Sequence, residues 1–375
     1  MGKPPGYDRG SMREAAAAFV RDVVRPAVAG WDEAGSYPRE AAAASGLTGL
    51  FCPAAYGGAA LGYPAGMEVF EELGRGDAAL AFSLSMHNAV AAVVAGCDDA
   101  ALRERWAAEL VAGRALGGFS LTEPHAGSDA TAITTPARED GAGWRVTGRK
   151  AWVSLAGEAD LFLVVCKTAE RAGHGDIAVV AVDRRADGVT FPRRYRTAAA
   201  AFLPIGEMEL DGAPATMLVP PGAGMRAALG AIDVARCDIA AIACGLHAEA
   251  LDIALRYARE RQAFGAPLLA LDTMRFALAD VLTDLEAGRL LYARAAERLG
   301  TPAGPTAVAH AKRFCPDAAL RAAIACSEAL GAYGWLDDTP LPRFISLAKM
   351  LQVVDGTAEI QRLVIGRELE RMANG

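Results

Sequence analysis

The segment LQVVDGTAEIQR, residues 351–362, places a carboxylate and a glycine between an apolar run and the first turn of a predicted helix. A desolvated carboxylate can act as a general base that removes a proton from a substrate. Asp-Gly is also typical of a turn before a helix, because Asp bonds nearby backbone groups and Gly accepts unusual dihedral angles. Taken alone, the segment indicates a turn. Asp355 is a candidate base only if other segments of the chain indicate an enzymatic reaction that needs one.

Two further segments bring hydroxyl groups and an indole to the ends of predicted strands. FSLTEPHAGSDATA carries the hydroxyls of Thr122 and Ser128 in a Pro- and Gly-containing loop that follows a strand. GRKAWVSLAG carries Trp152 and Ser154 two residues apart, a spacing that predicts one shared strand face. Each segment by itself is typical of ordinary structure.

A fourth segment, ARERQAFGAPL, ends a predicted helix with Arg261 and Phe264 close to a Gly and a Pro. Neither G-x-G-x-x-G after a strand nor G-x-x-x-x-G-K-[ST] occurs, so the two common phosphate-binding loops are absent from the sequence. A nucleotide would therefore have to bind in another way.

Composition narrows the class of protein. The chain has 375 residues and a net charge of −7 without a basic tract, which argues against nucleic acid or an anionic membrane as partner. Its seven cysteines and five histidines are scattered without zinc spacing, so we expect reduced thiols and no metal site. Mean hydropathy is +0.19, but no apolar run reaches about 20 residues, and we expect a cytoplasmic protein.

Hydrophobic periodicity predicts an α+β protein with three domains. Helical spacing dominates residues 12–115, short β-branched strands dominate residues 116–225, and helices return over residues 226–375. The C-terminal part contains four long amphipathic stretches, at about 226–262, 270–299, 304–333 and 341–372, which predict a four-helix bundle. This order does not fit a doubly wound sheet, in which strands and helices alternate.

Together and in this order, the segments FSLTEPHAGSD, KAWVS, RERQAFGAPL and DGTAEIQRLVIGRE resemble the signatures of the acyl-CoA dehydrogenase family of flavoproteins. The likeness extends over essentially the whole chain from about residue 12. It implies an N-terminal helical domain, a middle β-barrel-like domain and a C-terminal four-helix bundle, with FAD held between the last two.

The resemblance also implies roles for individual residues. Positions that line the isoalloxazine ring are matched by Phe119, Leu121, Thr122, Trp152 and Ser154. Ser128 matches a residue at the mouth, on the flavin and substrate path, and Asp233 and Arg236 match positions that hold the pantetheine or adenosine part of CoA. The remaining cofactor positions, some facing a neighbouring subunit, are matched by Arg261, Phe264, Asp272, Glu328, Gly331, Thr357 and Glu359.

In this family, one carboxylate removes the α-proton of an acyl thioester while the β-hydrogen leaves as hydride to flavin N5. The family usually has Glu at the position of Asp355, and its second known position for the base is Ala235 in this chain, which cannot act as one. Asp355 is therefore the only acid that matches. Aspartate is shorter by one C–C bond of about 1.5 Å, and a misplacement of about 1 Å can cost roughly a hundredfold in rate.

Several functions stay open at this stage. The first is α,β-dehydrogenation of an acyl-CoA or acyl-carrier-protein thioester, with an electron-transfer partner and a homodimer or homotetramer. The alternatives are oxidation of a 2-hydroxyacyl or aminoacyl carrier thioester in polyketide extender-unit biosynthesis, a flavin oxidase that resembles nitroalkane oxidases, and a non-catalytic member. Asp272 and Glu328 stand where relatives often have Gln, and an acid beside a pyrophosphate weakens FAD binding unless a base compensates.

Overall fold

The computed structural model describes residues 9–141, 143–169 and 175–374. His174 and Gly375, the last residue of the predicted C-terminal bundle, lie outside them. The chain divides into two compact units. The first contains Ala29–Gly62 and Ser83–Ala235, and the second contains Arg13–Val28, Tyr63–Phe82 and the chain from Arg236 onward. The three predicted domain boundaries stay a prediction.

The N-terminal third is helical, as the periodicity predicted. Its α-helices are α1 (Arg9–Phe19), α2 (Arg25–Ala34), α3 (Arg39–Ala44), α4 (Tyr63–Gly76), α5 (Ala78–Ala95) and α6 (Ala100–Val111). A π-helical turn joins α1 to α2. Asp99 precedes α6 and its side chain accepts the Leu102 N–H at 2.8 Å, which satisfies one of the unpaired donors at the start of the helix.

Helix α5 is apolar on all sides, and the sequence analysis did not single it out. It is the one described helix that is long and apolar enough to cross a membrane by length and composition, and 83% of that window is buried inside the protein. A helix that is hydrophobic all round and buried is typical of a protein core.

The middle of the chain forms one seven-stranded sheet. Its strands are β1 (Gly117–Ser120), β2 (Ala137–Asp140), β3 (Gly143–Ser154), β4 (Leu161–Lys167), β5 (Ile177–Asp183), β6 (Val189–Thr190) and β7 (Ile205–Val219). They follow the order β1-β4-β5-β7-β3-β2, with β6 paired to β7. The β1–β4 pair is parallel and the others are antiparallel. The short strands that the sequence predicted over residues 116–225 are present, and the shortest, β6, has two residues.

A buried ion pair ties the loop after β1 to strand β3. Lys150 Nζ donates to Glu123 Oε1 at 2.8 Å and to the Leu121 carbonyl at 3.0 Å. The same carboxylate accepts the backbone N–H groups of Thr134 at 2.7 Å and Thr135 at 3.0 Å. Glu123 therefore fixes the loop that the sequence analysis interpreted as a simple turn.

The ion pair also links stability to pH. Burial alone would raise the pKa of Glu123, but the Lys150 ammonium and the surrounding donors bring it down to about 2. Because this folded pKa lies below the ordinary value of 4.5, the carboxylate's stabilising contribution is complete above that value. It is lost as the pH falls towards about 2.

The C-terminal part contains five α-helices rather than four. They are α7 (Gly224–Glu260), α8 (Asp272–Arg298), α9 (Gly304–Ala329), α10 (Leu341–Val353) and α11 (Ala358–Asn374), and a small hairpin, β8 (Gln262–Ala263) and β9 (Ala266–Pro267), lies between α7 and α8. The predicted stretch 341–372 is thus two helices. Its apolar periodicity continues across the break, but Asp355 and Gly356 both have positive φ, which no right-handed helix contains.

Replacing Lys150 by Met should lower the free energy of unfolding by about 3–5 kcal/mol, because it leaves the Glu123 carboxylate buried and unpaired. Denaturant unfolding at neutral pH, followed by circular dichroism, measures this loss. The double variant Glu123→Gln/Lys150→Met should recover part of it, and Lys349→Met, at an exposed site, is the control. A loss below about 1 kcal/mol in Lys150→Met would match an exposed ion pair and contradict the assignment.

Candidate functional site

The first group of predicted site residues lies where β1 and β3 meet their loops. Phe119 on β1 and Leu121 just after it are partly buried against the apolar core of the first unit. The Thr122 carbonyl accepts the Ala151 N–H at 2.9 Å, which joins this loop to the residue that precedes Trp152. The structure therefore brings these two sequence segments together.

Trp152 is an exposed indole on an irregular strand. Its φ is +58°, its side chain is 64% exposed, and the pairing of β3 with β7 shifts register between Lys150 and Val153. Burial still alternates from Trp152, which is exposed, through Val153, which is buried, to Ser154, which is partly buried. The face that Trp152 and Ser154 were predicted to share stays a prediction. A non-glycine residue held at positive φ is strained, and such residues cluster at functional sites.

Tyr195, which no sequence pattern marked, packs against this indole. The ring of Tyr195 lies 4.5 Å from that of Trp152, centroid to centroid, and its hydroxyl donates to Glu207 Oε1 at 2.9 Å. The Arg193 guanidinium lies 5.1 Å from the centre of the Tyr195 ring. A hydrogen bond from Arg149 is the main reason why the pKa of Glu207 is lowered. Tyr195 lies in an irregular loop, and no local pattern marks it as a neighbour of Trp152.

Ser128 is exposed in the loop between β1 and β2. The carboxylate of the next residue, Asp129, accepts two hydrogen bonds from Thr131, one from the backbone N–H at 3.1 Å and one from the hydroxyl at 2.7 Å. These bonds hold a short 3₁₀ turn. Ser128 is therefore accessible.

The second group centres on the turn between α10 and α11. Asp355 has φ +52° and Gly356 has φ +102°. Arg236 Nε donates to the Asp355 carbonyl at 2.8 Å, and Gln361 Nε2 donates to the Gly356 carbonyl at 3.2 Å. A Cβ added at Gly356 would lie 2.9 Å from an Arg236 nitrogen, so a side chain would be crowded as well as strained. The turn fixes the direction of the Asp355 side chain.

Asp355 is partly buried, and one of its carboxylate oxygens is fully buried. Its Oδ2 is buried and has no hydrogen-bond partner among the described residues. Burial raises the pKa of Asp355, and the nearby charges of Lys312 and Arg236 oppose that rise. The sequence left the direction of this pKa open, because it did not reveal how deeply the oxygen is buried.

Lys312 is the residue of this group that the sequence analysis missed. It lies on α9, is 2% exposed, and donates from Nζ to the Leu351 carbonyl at 2.6 Å. A signal existed, because Lys312 follows Val308 by four residues and precedes Cys315 by three, which places it on the apolar stripe of the helix. A lysine on such a stripe needs a buried partner.

Arg236 contacts the turn that carries Asp355. Its Nε donates to the Asp355 carbonyl, and the contact with the substrate carrier that the resemblance implied stays a prediction. Asp233 lies one turn earlier on α7 and is partly buried. Ala235, at the second family position for the base, is buried and has no ionisable group.

The predicted cofactor residues between α7 and α8 are exposed. Phe264 has φ +54° at the tip of the β8–β9 hairpin, and its side chain is 94% exposed. Arg261 is exposed just before that hairpin. Asp272 begins α8 and forms an exposed ion pair with Arg275. Its predicted place near a pyrophosphate stays a prediction.

The last predicted positions lie at helix ends. Glu328 is exposed near the end of α9, and Gly331 has φ +59° with open space where a Cβ would be. Glu359 is exposed in the first turn of α11; its own backbone N–H and the Thr357 hydroxyl lower its pKa. It also forms an ion pair with Arg362. The binding roles of these residues stay predictions.

The residues present fit a flavin better than a metal ion. Within residues 9–141, 143–169 and 175–374, no group of three His, Cys, Asp or Glu side chains is placed to hold a metal. An exposed indole at positive φ, beside the loop that carries Thr122, suits a flat aromatic ring with polar edges.

Comparison with known proteins agrees with this assignment. Sequence models of the N-terminal, middle and C-terminal domains of acyl-CoA dehydrogenases match residues 8–114, 118–213 and 222–370. An acyl-CoA dehydrogenase of Bacillus subtilis (strain 168) is 32% identical over 367 residues, or 96% of this chain and 97% of that protein.

Solved structures of acyl-CoA dehydrogenases are also similar to this chain. The structure of butyryl-CoA dehydrogenase from Megasphaera elsdenii has a TM-score of 0.91 and 28% identity, and the match covers 98% of this chain and 100% of that chain. A glutaryl-CoA dehydrogenase from Mycobacterium smegmatis in complex with FADH2 has a TM-score of 0.89 and 26% identity, covering 96% and 94%. The chain therefore belongs to the acyl-CoA dehydrogenase family of FAD-dependent enzymes.

Proposed function

We propose that the chain catalyses α,β-dehydrogenation of an acyl thioester, with Asp355 as the base. The observation that carries this proposal is the buried Asp355 Oδ2, which has no hydrogen-bond partner among the described residues. An unpartnered oxygen in a desolvated site is available to accept a proton, and its raised pKa makes it a stronger base than an exposed aspartate.

The reaction divides between the chain and its cofactor. The substrate Cα–H bond breaks and its proton goes to Asp355 Oδ2, while the electron pair left at Cα forms the new C=C bond. When bound, FAD supplies the acceptor for the hydride that leaves Cβ. Trp152, Thr122 and Ser154 would hold the ring system of FAD, and an electron-transfer partner would then reoxidise it.

Arg236 supports this role by fixing the base. Its hydrogen bond to the Asp355 carbonyl and the glycine that follows leave the turn little freedom. A base held in one direction loses less entropy on reaching the reactive geometry. A fixed turn is one way in which the shorter aspartate could serve where relatives have glutamate.

Replacing Asp355 by Asn should slow bleaching of the flavin by an acyl thioester by about 10²- to 10⁴-fold, because the amide cannot accept the α-proton. The measurement is an anaerobic titration of FAD-loaded protein with short acyl thioesters, followed by the visible absorption of the flavin. Glu370→Gln, which changes an exposed acid on α11, is the matched control.

Bleaching at the wild-type rate in Asp355→Asn would remove Asp355 as the base. Wild-type protein that binds FAD but is bleached by no thioester would favour a different carbon acid, such as a nitroalkane. Protein that does not bind FAD would favour a non-catalytic member.

A second observation bears on how the acyl group is carried. The loop between β6 and β7 contains three exposed arginines, Arg193, Arg194 and Arg196, in a chain whose net charge is −7. We call residues 193–196 the arginine loop. Through Tyr195 it packs against Trp152, the predicted flavin neighbour. Its charge is complementary to an acidic carrier protein, and we propose that a carrier-bound thioester is a substrate in addition to, or in place of, the CoA ester.

Reversing the charge of the arginine loop at Arg194 and Arg196, both to Glu, should raise the half-saturating concentration of an acyl-carrier-protein substrate by about tenfold or more. Arg193 is kept, because it lies against the Tyr195 ring that packs on Trp152. The same acyl group on CoA should be affected much less, since CoA offers a smaller charged surface. Flavin bleaching by the two esters gives both values, and Arg294→Glu on α8 is the control. Bleaching by the CoA ester alone would reject the carrier protein.

We also propose that the chain forms a homo-oligomer. Phe264 and Trp335 have side chains 94% and 84% exposed in the single chain, and large apolar side chains of this kind are enriched at interfaces. Phe264→Asp should lower the mass measured in solution by light scattering and weaken FAD binding. A monomeric wild-type protein would contradict this proposal.

A further inference from the structure

Lys312 contacts the end of the helix that leads to Asp355. Its Nζ donates to the Leu351 carbonyl at 2.6 Å. Leu351 lies in the last turn of α10, where the carbonyl groups have no N–H partner from the helix itself. Asp355 follows four residues later. The lysine therefore holds the helix end from which the turn at Asp355 begins.

The charged groups near Lys312 and Asp355 belong to α7, to α9 and to the turn between α10 and α11. Asp355 faces Lys312 on α9 and Arg236 on α7. Lys312 in turn faces Asp355, Arg236 and Asp317, and Asp317 is already paired with Arg313. Burial lowers the pKa of Lys312 to about 7, against the attraction of Asp355.

Asp317 also accepts a hydrogen bond from Gln352 Nε2, at 2.7 Å, so its carboxylate is committed to neighbours other than Lys312. Within residues 9–141, 143–169 and 175–374, Lys312 and Arg236 are the cations whose charges act on the Asp355 carboxylate. Arg236 remains charged at every accessible pH, whereas a buried lysine can lose its proton.

We propose that Lys312 is a positioning residue of the reaction, whose buried ammonium holds the end of α10 and keeps the partly buried Asp355 carboxylate ionised. This inference rests on the proposed role of Asp355 as the base. Desolvation favours the neutral acid, which cannot accept a proton, and a nearby cation restores the ionised form. The same lysine thus performs two tasks that can be separated by substitution.

Two variants separate them. Lys312→Gln removes the charge but keeps an N–H donor for the Leu351 carbonyl, whereas Lys312→Met removes both. Lys349→Gln, an exposed lysine on α10, is the matched control. Asp355→Asn identifies the signal of the base. All four are compared with wild type as full-length protein.

The experiment has two readouts. The first is the rate of anaerobic flavin bleaching as a function of pH. The second, which needs no substrate, is the carboxyl carbon resonance of Asp355 in protein labelled with ¹³C-aspartate, identified by its loss in Asp355→Asn. In both Lys312 variants the acid limb of the rate and the midpoint of the resonance should move to higher pH by about one to three pH units. Lys312→Gln should be more stable than Lys312→Met.

The results discriminate clearly. If Lys312 only caps α10, the Gln variant keeps the wild-type acid limb and resonance midpoint, and the inference is wrong. If Asp355→Asn bleaches as fast as wild type, the proposed base fails first. A resonance that moves in the Lys312 variants, together with a rate that depends on Asp355, supports both proposals.

Discussion

Burying a carboxylate in a protein requires cations or N–H donors around it, and this constraint fixes both groups of predicted site residues. In the first unit, Glu123 is paired with Lys150 and accepts two backbone N–H groups, which locks the loop carrying Thr122. In the second unit, Asp355 lies among Arg236 and Lys312 but keeps one oxygen without a partner in the described residues. The first carboxylate is fully satisfied and structural, whereas the second keeps an oxygen that can accept a proton, as its proposed role as the base requires.

The difference between the two carboxylates follows from what surrounds them. Hydrogen bonds to a charged acid lower its pKa, and Glu123 has them from an ammonium, a hydroxyl and the backbone. Asp355 has nearby cations but no donor on Oδ2 among the described residues, so burial dominates and raises its pKa. A base needs that second environment, because a stabilised carboxylate gains little by accepting a proton.

The departure from the family's glutamate is also a matter of geometry. A side chain shorter by about 1.5 Å must start from a different backbone position to reach the same point. The turn at Asp355 and Gly356 has two successive positive φ angles and is held by Arg236 and Gln361. A non-glycine residue at positive φ costs free energy, which argues that the direction of the Asp355 side chain matters to the protein.

The sequence by itself determined whether most segments are helix or strand, because both periodicities are local. It also determined the family, because the signatures are short and occur in a fixed order. It predicted helices in the N- and C-terminal parts of the chain, strands between them, and Asp355 as the candidate base. Tertiary structure decided what surrounds the candidates. Glu123, next to Thr122, pairs with Lys150, and Arg236 donates to the Asp355 backbone. Tyr195 packs against Trp152, and Lys312 holds the end of α10. Tertiary structure also broke the last predicted helix at Asp355. Partners and the direction of pKa changes depend on residues distant in sequence. A local pattern can mark a side chain as buried, as the apolar stripe does for Lys312, but it does not identify the partner.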